Sequence, residues 1–207
     1  MPAKQKTKSN RSWTRILGAA CVGLLLWTGA LAGQVLAAEP PSEDLLKLIA
    51  ELVGDSDHQM RAIGLQQIRG EAPGEAATKR FAGLLPKLGP EARAELVDAL
   101  GDRGDAAARP AVLEMVQSPD EPVRAAALRA LSGVGRDADV PLLVQRIAAG
   151  SAAEQLAAAQ SLVRLKGDGV NAAITAALGS AAPNARIKLL EILAARNAKE
   201  ALPAMLA

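Results

Sequence analysis

Residues 120–135 read DEPVRAAALRALSGVG and contain a pattern that returns along the chain. Asp120 and Pro122 suit the start of a helix, and Gly135 suits its end. Counted from Arg124, small or apolar residues occupy offsets +3, +4 and +7. This spacing is typical of the buried stripe of an amphipathic helix. The stretch therefore predicts a helix with one side in a core.

The same pattern occurs five times at a nearly constant spacing. The residues equivalent to Arg124, termed anchors below, are 32, 31, 31 and 31 residues apart: Arg61, Arg93, Arg124, Gln155 and Arg186. Offset +7 is apolar in every copy: Ile68, Leu100, Leu131, Leu162 and Leu193. Repetition at this period is typical of stacked helical arrays, in which neighbouring repeats form one continuous core.

A second apolar segment precedes each anchor helix. These segments cover residues 45–53, 81–88, 112–116, 142–149 and 170–178. Gly, Pro, Ser and Asp separate the two segments of each copy, and these residue types favour turns and helix ends. No segment shows the period-two alternation of a strand. The sequence therefore predicts an all-α array of about five helix pairs plus a terminal half-repeat.

The N-terminal segment has the layout of a secretory signal peptide. Residues 1–15 contain five Lys and Arg and no acidic residue, and an apolar run follows over residues 16–32. Val35 and Ala37 then occupy positions −3 and −1 of a cleavage site after Ala37. A cut after Ala38 is the near alternative. The chain is therefore expected to be exported, to the periplasm or beyond the cell, with residues 38–207 as the mature protein.

Two alternatives to cleavage concern the same segment. Left uncut, its apolar run is at the short end of what spans a bilayer and would anchor the chain with the repeats outside the cytoplasm. Lipidation at Cys21 is disfavoured because Gly18 lies three residues before it, where lipoprotein signals usually carry Leu. Both alternatives leave the repeats exported.

Charge and composition exclude several function classes. The formal net charge is +2, but without residues 1–37 there remain 19 Lys and Arg against 22 Asp and Glu, a net charge of −3. Trp13 and Trp27 also lie in the N-terminal segment. A mildly acidic chain without Trp or Tyr lacks the basic surface and the stacking platform of nucleic-acid binders. One His and one Cys make a metal cluster or a disulfide framework improbable.

Residues 120–128, followed by Leu131 and by Gly135 one residue beyond the pattern's glycine, resemble the Asp-x-x-Val-Arg-x-x-Ala-x-x-x-Leu-x-x-Gly pattern of the HEAT-repeat family. The form is similar to the short bacterial repeats first named in phycobilisome lyases. Gln155 departs from the family's Arg, and the family's Asp is replaced at Gly89, Ser151 and Ala182. The resemblance implies a right-handed α-solenoid, an armadillo-like superhelix, that binds other proteins. It also implies that the second helix of each pair lines the concave face.

Three motifs resemble known sites but are better interpreted as turns. Residues 133–138 match G-x-G-x-x-A, yet a dinucleotide loop needs a preceding strand. Residues 55–57 suggest a calcium loop, which would need Gly and Glu where Met60 and Gln66 occur. His58 has no recognisable nucleophile or metal partner and is expected to be a solvated turn residue. No catalytic, metal-binding or cofactor-binding residue is predicted.

Two sets of polar residues accompany the anchors. Asp57 with Arg61, and Asp120 with Arg124, are expected to form structural brackets across a turn, worth about 0–1 kcal/mol each. The second set is a candidate partner-binding face. Five of its members lie at offset +5, off the apolar stripe: Gln66, Asp98, Arg129, Gln160 and Glu191. Glu95 and Lys188, at offset +2, complete the face.

These observations favour an exported, non-enzymatic scaffold or interaction module whose partner is another protein. Alternatives are a lyase-like or chaperone-like helper for prosthetic-group attachment, and a structural spacer within a larger exported protein. Residues 198–207 are expected to form the first helix of a sixth pair. Met205 and Leu206 would then face a missing neighbour, so a partner, self-association or a continuation of the chain is expected to cover that end.

Overall fold

The computed structural model of the chain describes residues 42–70 and 74–205, all within the unit formed by Pro40–Ala207. Side chains are described up to Pro203. The predicted signal peptide and the predicted exposure of Met205 and Leu206 therefore lie outside the described residues. Among the helices of this part of the chain, none is long and apolar enough to cross a membrane.

The described residues form helices and turns without a β-strand, as expected for an all-α array. Five helix pairs follow one another: α1 (Glu43–Val53) with α2 (His58–Gly70), α3 (Glu75–Ala82) with α4 (Pro90–Arg103), α5 (Arg109–Met115) with α6 (Glu121–Val134), α7 (Val140–Ala149) with α8 (Ala152–Arg164), and α9 (Val170–Leu178) with α10 (Pro183–Ala195). A short helix, α11 (Leu202–Met205), begins the predicted half-repeat.

Local sequence explains where these helices begin and end. The Ser42 hydroxyl accepts a hydrogen bond from the backbone N–H of Leu45 and caps α1. Ser151 and Glu154 form a reciprocal capping box at the start of α8. Gly104 ends α4 with φ of +70°, a backbone conformation that favours glycine. Turn chemistry thus divides the apolar sequence into helix pairs.

The predicted stripe forms the core. Every residue at offset +7 is buried, and Ile68, Leu100, Leu131 and Leu162 are among the largest fully buried side chains. The second helices of successive pairs pack on one another in the order α2, α4, α6, α8, α10, while α1, α5, α7 and α9 pack against the second helix of their own pair. The array is therefore an α-solenoid with one continuous core, as the repeat predicted.

The first helix of the second pair lies earlier than expected. The apolar segment at residues 81–88 suggested a helix there, but α3 ends at Ala82 and a short 3-10 helix follows over Leu85–Lys87. Gly83 caps the end of α3, and Pro86 lies in the 3-10 turn. Because Pro86 lacks an N–H, it cannot continue an α-helix through this segment. Phe81 and Leu85 are nevertheless both buried, so the apolar pattern located core residues correctly.

Helices α4 and α6 approach each other through small residues. A Cβ built on Gly101 would lie 2.6 Å from the Cβ of Ala130, and one built on Gly133 would lie 2.1 Å from the carbonyl oxygen of Gly101. These contacts explain the glycine at position 133 of the G-x-G-x-x-A motif. Residues 133–138 run from the last turn of α6 into a 3-10 turn, so a helix precedes the motif.

Candidate partner-binding groove

The anchor side chains close the turn inside each helix pair. Each one donates a hydrogen bond to a backbone carbonyl at the C-terminal end of the first helix or in the segment that joins the two helices, where most carbonyls lack α-helical partners. The bonds are from Arg61 to Asp55 and Ser56, from Arg93 to Leu85 and Leu88, from Arg124 to Ser118 and Pro119, from Gln155 to Gly150, and from Arg186 to Leu178. Gln155 therefore retains this turn-closing role without a charge.

The predicted brackets have other partners than expected. The Arg61 guanidinium pairs with Glu95 at 3.0 Å and Glu91 at 3.1 Å, both on α4. The carboxylate of Asp57 instead accepts a hydrogen bond of 2.7 Å from the backbone N–H of Gln59. The acidic partner of Arg61 thus belongs to the next pair, so the contact joins neighbouring repeats.

The second predicted bracket differs in the same way. Arg124 pairs with Glu154 on α8, and Asp120 lies 3.7 Å from Arg93 of the preceding pair. The second helices of successive pairs pack side by side, which brings an anchor side chain to the acidic residues at the start of the next second helix.

Glu154 is a buried carboxylate at one of these junctions, with 3% of its surface exposed. Burial raises the pKa of its carboxyl group, but hydrogen bonds from the Arg124 side chain and the Ser151 backbone N–H outweigh burial and lower the pKa below its usual 4.5. A lowered folded-state pKa means that the ionised group stabilises the fold above about pH 4.5. This stabilisation is lost as pH falls through the folded-state pKa.

We therefore expect Glu154→Gln to lower the free energy of unfolding by about 1.5–3 kcal/mol at pH 7, as for hydrogen bonds to charged groups. The difference from the wild type should shrink as the pH is lowered below about 4.5. Denaturant unfolding at pH 7 and pH 3 measures both values. Glu114→Gln on α5, where the side chain is exposed, is the matched control and should leave the free energy of unfolding nearly unchanged at both pH values. If Glu154→Gln lowered the free energy of unfolding equally at pH 7 and pH 3, the ionised Glu154 carboxylate would not be the stabilising group.

A groove runs along the second helices, and we term it the second-helix groove. Its first section has a volume of about 330 Å³ and is lined chiefly by Arg69, Asp98, Asp102, Arg129, Gln160, Ser161 and Arg164. Its second section, also about 330 Å³, is lined by Ala159, Gln160, Val163, Arg164, Lys188, Glu191, Ile192 and Ala195. Gln160 and Arg164 line both sections, so the two adjoin at α8.

Ion pairs across neighbouring helices order the charges of the groove. Arg129 on α6 binds both carboxylate oxygens of Asp98 on α4, at 3.1 and 2.7 Å. Burial raises the pKa of Asp98, and the hydrogen bonds from Arg129 oppose that rise. Arg69 lies 2.9 Å from Asp102 in the same section. The wall of the groove therefore carries fixed pairs of opposite charge.

The structure brings together five residues of the predicted face: Asp98, Arg129, Gln160, Lys188 and Glu191 line the groove. Gln66 is exposed on α2 but lies outside both sections. Glu95 was expected on the face and is instead directed to Arg61. His58, 72% exposed in its side chain, lies 3.4 Å from the same carboxylate. Glu95 is therefore a residue of the repeat junction.

Sequence reasoning missed three charged residues of the groove, Arg69, Asp102 and Arg164. They lie at offsets +8 or +9 from their anchors, which is one helical turn beyond offset +5 and on the same side of the helix. Extending the offset +5 ladder by one turn would have found them. Among the described residues, no group of three or more His, Cys, Asp or Glu side chains is placed to hold a metal ion.

Comparison with known proteins finds a family match that covers several helices of the groove. No curated protein matches the chain. Residues 78–163, from within α3 to within α8, match the family described as HEAT repeats. Helices α4 and α6 and most of α8, which carry most of the first section of the groove, are therefore similar to HEAT repeats, and the array they belong to is an α-solenoid.

Proposed function

We propose that this chain is an exported, non-enzymatic protein that binds a partner protein through the second-helix groove. HEAT repeats are commonly protein-interaction modules, and the matched residues include most of the groove. The observation that carries the proposal is that two adjoining groove sections extend over α4, α6, α8 and α10, with polar side chains presented from each of these helices. Export rests on the basic, apolar and small-residue order of residues 1–37.

A photo-cross-linking side chain at Gln160 tests the proposal. Gln160 is exposed at the junction of the two groove sections. Glu114 on α5 is the matched control position, because it is also exposed but lines a separate pocket beside α3. The full chain, carrying the cross-linker at one position or the other, is expressed in the source organism and irradiated. Adducts are then identified by mass spectrometry.

We expect a single reproducible adduct from position 160 and none of that mass from position 114. Asp98→Arg and Glu191→Arg, introduced together, should reduce the yield of the adduct severalfold by reversing charges in both sections. Adducts of equal yield from both positions would show binding elsewhere on the surface. No adduct from either position would favour the structural spacer over the interaction module.

A further inference from the structure

We infer that the second-helix groove binds a peptide segment in which a carboxylate lies next to an apolar side chain, with Arg164 as the residue that binds the carboxylate. This inference rests on the proposed function and names the chemistry of the partner. It follows from the charge balance of the groove, from an unpaired hydroxyl beside Arg164, and from the apolar wall on the other side of that residue.

The charge balance singles out Arg164. The other cations of the groove each pair with an acidic side chain: Arg69 with Asp102 at 2.9 Å, Arg129 with Asp98 at 2.7 Å, and Lys188 with Glu191 at 2.7 Å. Arg164 is exposed at the end of α8, and its guanidinium has no hydrogen-bond or ion partner among the described residues. It therefore offers an uncompensated positive charge where the two groove sections meet.

A buried hydroxyl provides an independent observation. Ser161 lines the first section and is fully buried, and its Oγ has no hydrogen-bond partner among the described residues. A serine within a helix can donate to the carbonyl four residues earlier, and here that bond is not made. An unpaired buried hydroxyl lowers the stability of the fold. The Ser161 oxygen is itself buried, so an acceptor in the groove would bind it after a small outward shift of the side chain and would then recover part of that loss.

Arg164 and the exposed amide of Gln160 lie one helical turn apart on α8 and offer donors to the groove, with Ser161 in its wall. An ionised carboxylate is an acceptor-only group and takes bidentate hydrogen bonds from a guanidinium. A longer polyanion fits less well, because Asp98 and Asp102 already pair with Arg129 and Arg69, which leaves Arg164 as the cation of the described groove without an acidic partner. One unpaired cation favours one isolated carboxylate.

The other side of Arg164 is apolar. Ala159, Val163, Ile192 and Ala195 line the second section, and Val163 is 37% exposed. This section lies between α8 and α10, and a partner's aliphatic side chain there would bury apolar surface of its own. A segment with a carboxylate and an adjacent aliphatic residue would occupy both sections at once.

Fluorescence polarisation with the full chain tests this inference. The probes are fluorescein-labelled octapeptides with one Glu flanked by Leu, Val or Ala, each paired with a peptide in which Gln replaces that Glu. We expect at least one Glu peptide to bind about tenfold or more tightly than its Gln counterpart, since charged hydrogen bonds contribute about 1.5–3 kcal/mol. Replacing its flanking aliphatic residue by Ser should also weaken binding.

Two variants connect the preference to the groove. Arg164→Gln should abolish the difference between the Glu and Gln peptides, while Lys166→Gln should preserve it. Lys166 is exposed, lies two residues from Arg164 and does not line the groove. Its substitution therefore removes one positive charge, as Arg164→Gln does, but from outside the groove. Ser161→Ala should weaken the Glu peptide more than the Gln peptide.

Three results would overturn the inference: equal binding of Glu and Gln peptides, equal losses from Arg164→Gln and Lys166→Gln, or no binding by any peptide of the set. Each of them leaves the cross-linking test of the proposed function intact, because an adduct at position 160 depends only on a partner reaching the groove. Loss of that adduct would instead count against the proposed function itself.

Discussion

Leu131→Ala is expected to lower the free energy of unfolding by about 2–5 kcal/mol, the range for large-to-small changes at buried leucines. Leu131 is fully buried at offset +7 of α6, which packs against α4, α5 and α8. Removing its isobutyl group leaves a cavity in the core, and tightly packed helix pairs can close it only in part. Denaturant unfolding of the full chain, followed by circular dichroism, measures the loss.

Leu156→Ala is the matched control for this experiment. Leu156 lies on α8, the neighbouring second helix, but 61% of its surface is exposed. The same chemical change there should alter the free energy of unfolding by no more than about 0.5 kcal/mol. Equal losses in the two variants would mean that the stripe at offset +7 does not form the core.

Gly133→Ala is expected to destabilise the fold by about 1–3 kcal/mol, the usual cost of overpacking. Alanine ordinarily stabilises a helix relative to glycine by about 1 kcal/mol. Here the added Cβ would lie 2.1 Å from the carbonyl oxygen of Gly101, which is backbone and cannot rotate away. Helices α4 and α6 would have to separate. Thermal unfolding of the variant measures the sign as well as the size of the effect.

Gly70→Ala tests whether the effect at Gly133 comes from the neighbouring helix. Gly70 is the last residue of α2, and a Cβ there would meet nothing within 4 Å. We expect this substitution to leave stability unchanged or to raise it by a few tenths of a kcal/mol. If Gly133→Ala were equally benign, α4 and α6 would have to be able to move apart without loss of packing.

Helix pairs and core positions could be predicted from the sequence because both depend on local periodicity. Offsets +3 and +7 from the anchors locate buried residues from Gly64 and Ile68 in α2 to Leu189 and Leu193 in α10. Where Gly83 and Pro86 interrupt the pattern, periodicity located the buried Phe81 and Leu85 but misplaced the helix. An apolar run alone does not distinguish a helix from a 3-10 turn.

The contacts between repeats could not be predicted in this way. Arg61 meets Glu95 across 34 residues, and Arg124 meets Glu154 across 30 residues. Such pairs depend on how far one helix is displaced along its neighbour, and no spacing within a repeat encodes that displacement. Glu95 was assigned to the groove for this reason: its offset of +2 does not show whether its side chain lies in the groove or at the junction with α2, where it pairs with Arg61.

The interruption of the anchor series at Gln155 has a mechanical consequence. Arg61, Arg93 and Arg124 each tie the start of one second helix to the next pair through an ion pair, whereas among the described residues Gln155 makes no such tie to α10. At the opposite ends of α8 and α10, Arg196 donates to the carbonyls of Leu162, Val163 and Leu165. Among the described residues, the polar contacts between α8 and α10 therefore lie at the Arg196 end, and apolar packing alone joins the two helices at the Gln155 end. We expect any opening of the cleft between α8 and α10 to begin at the Gln155 end.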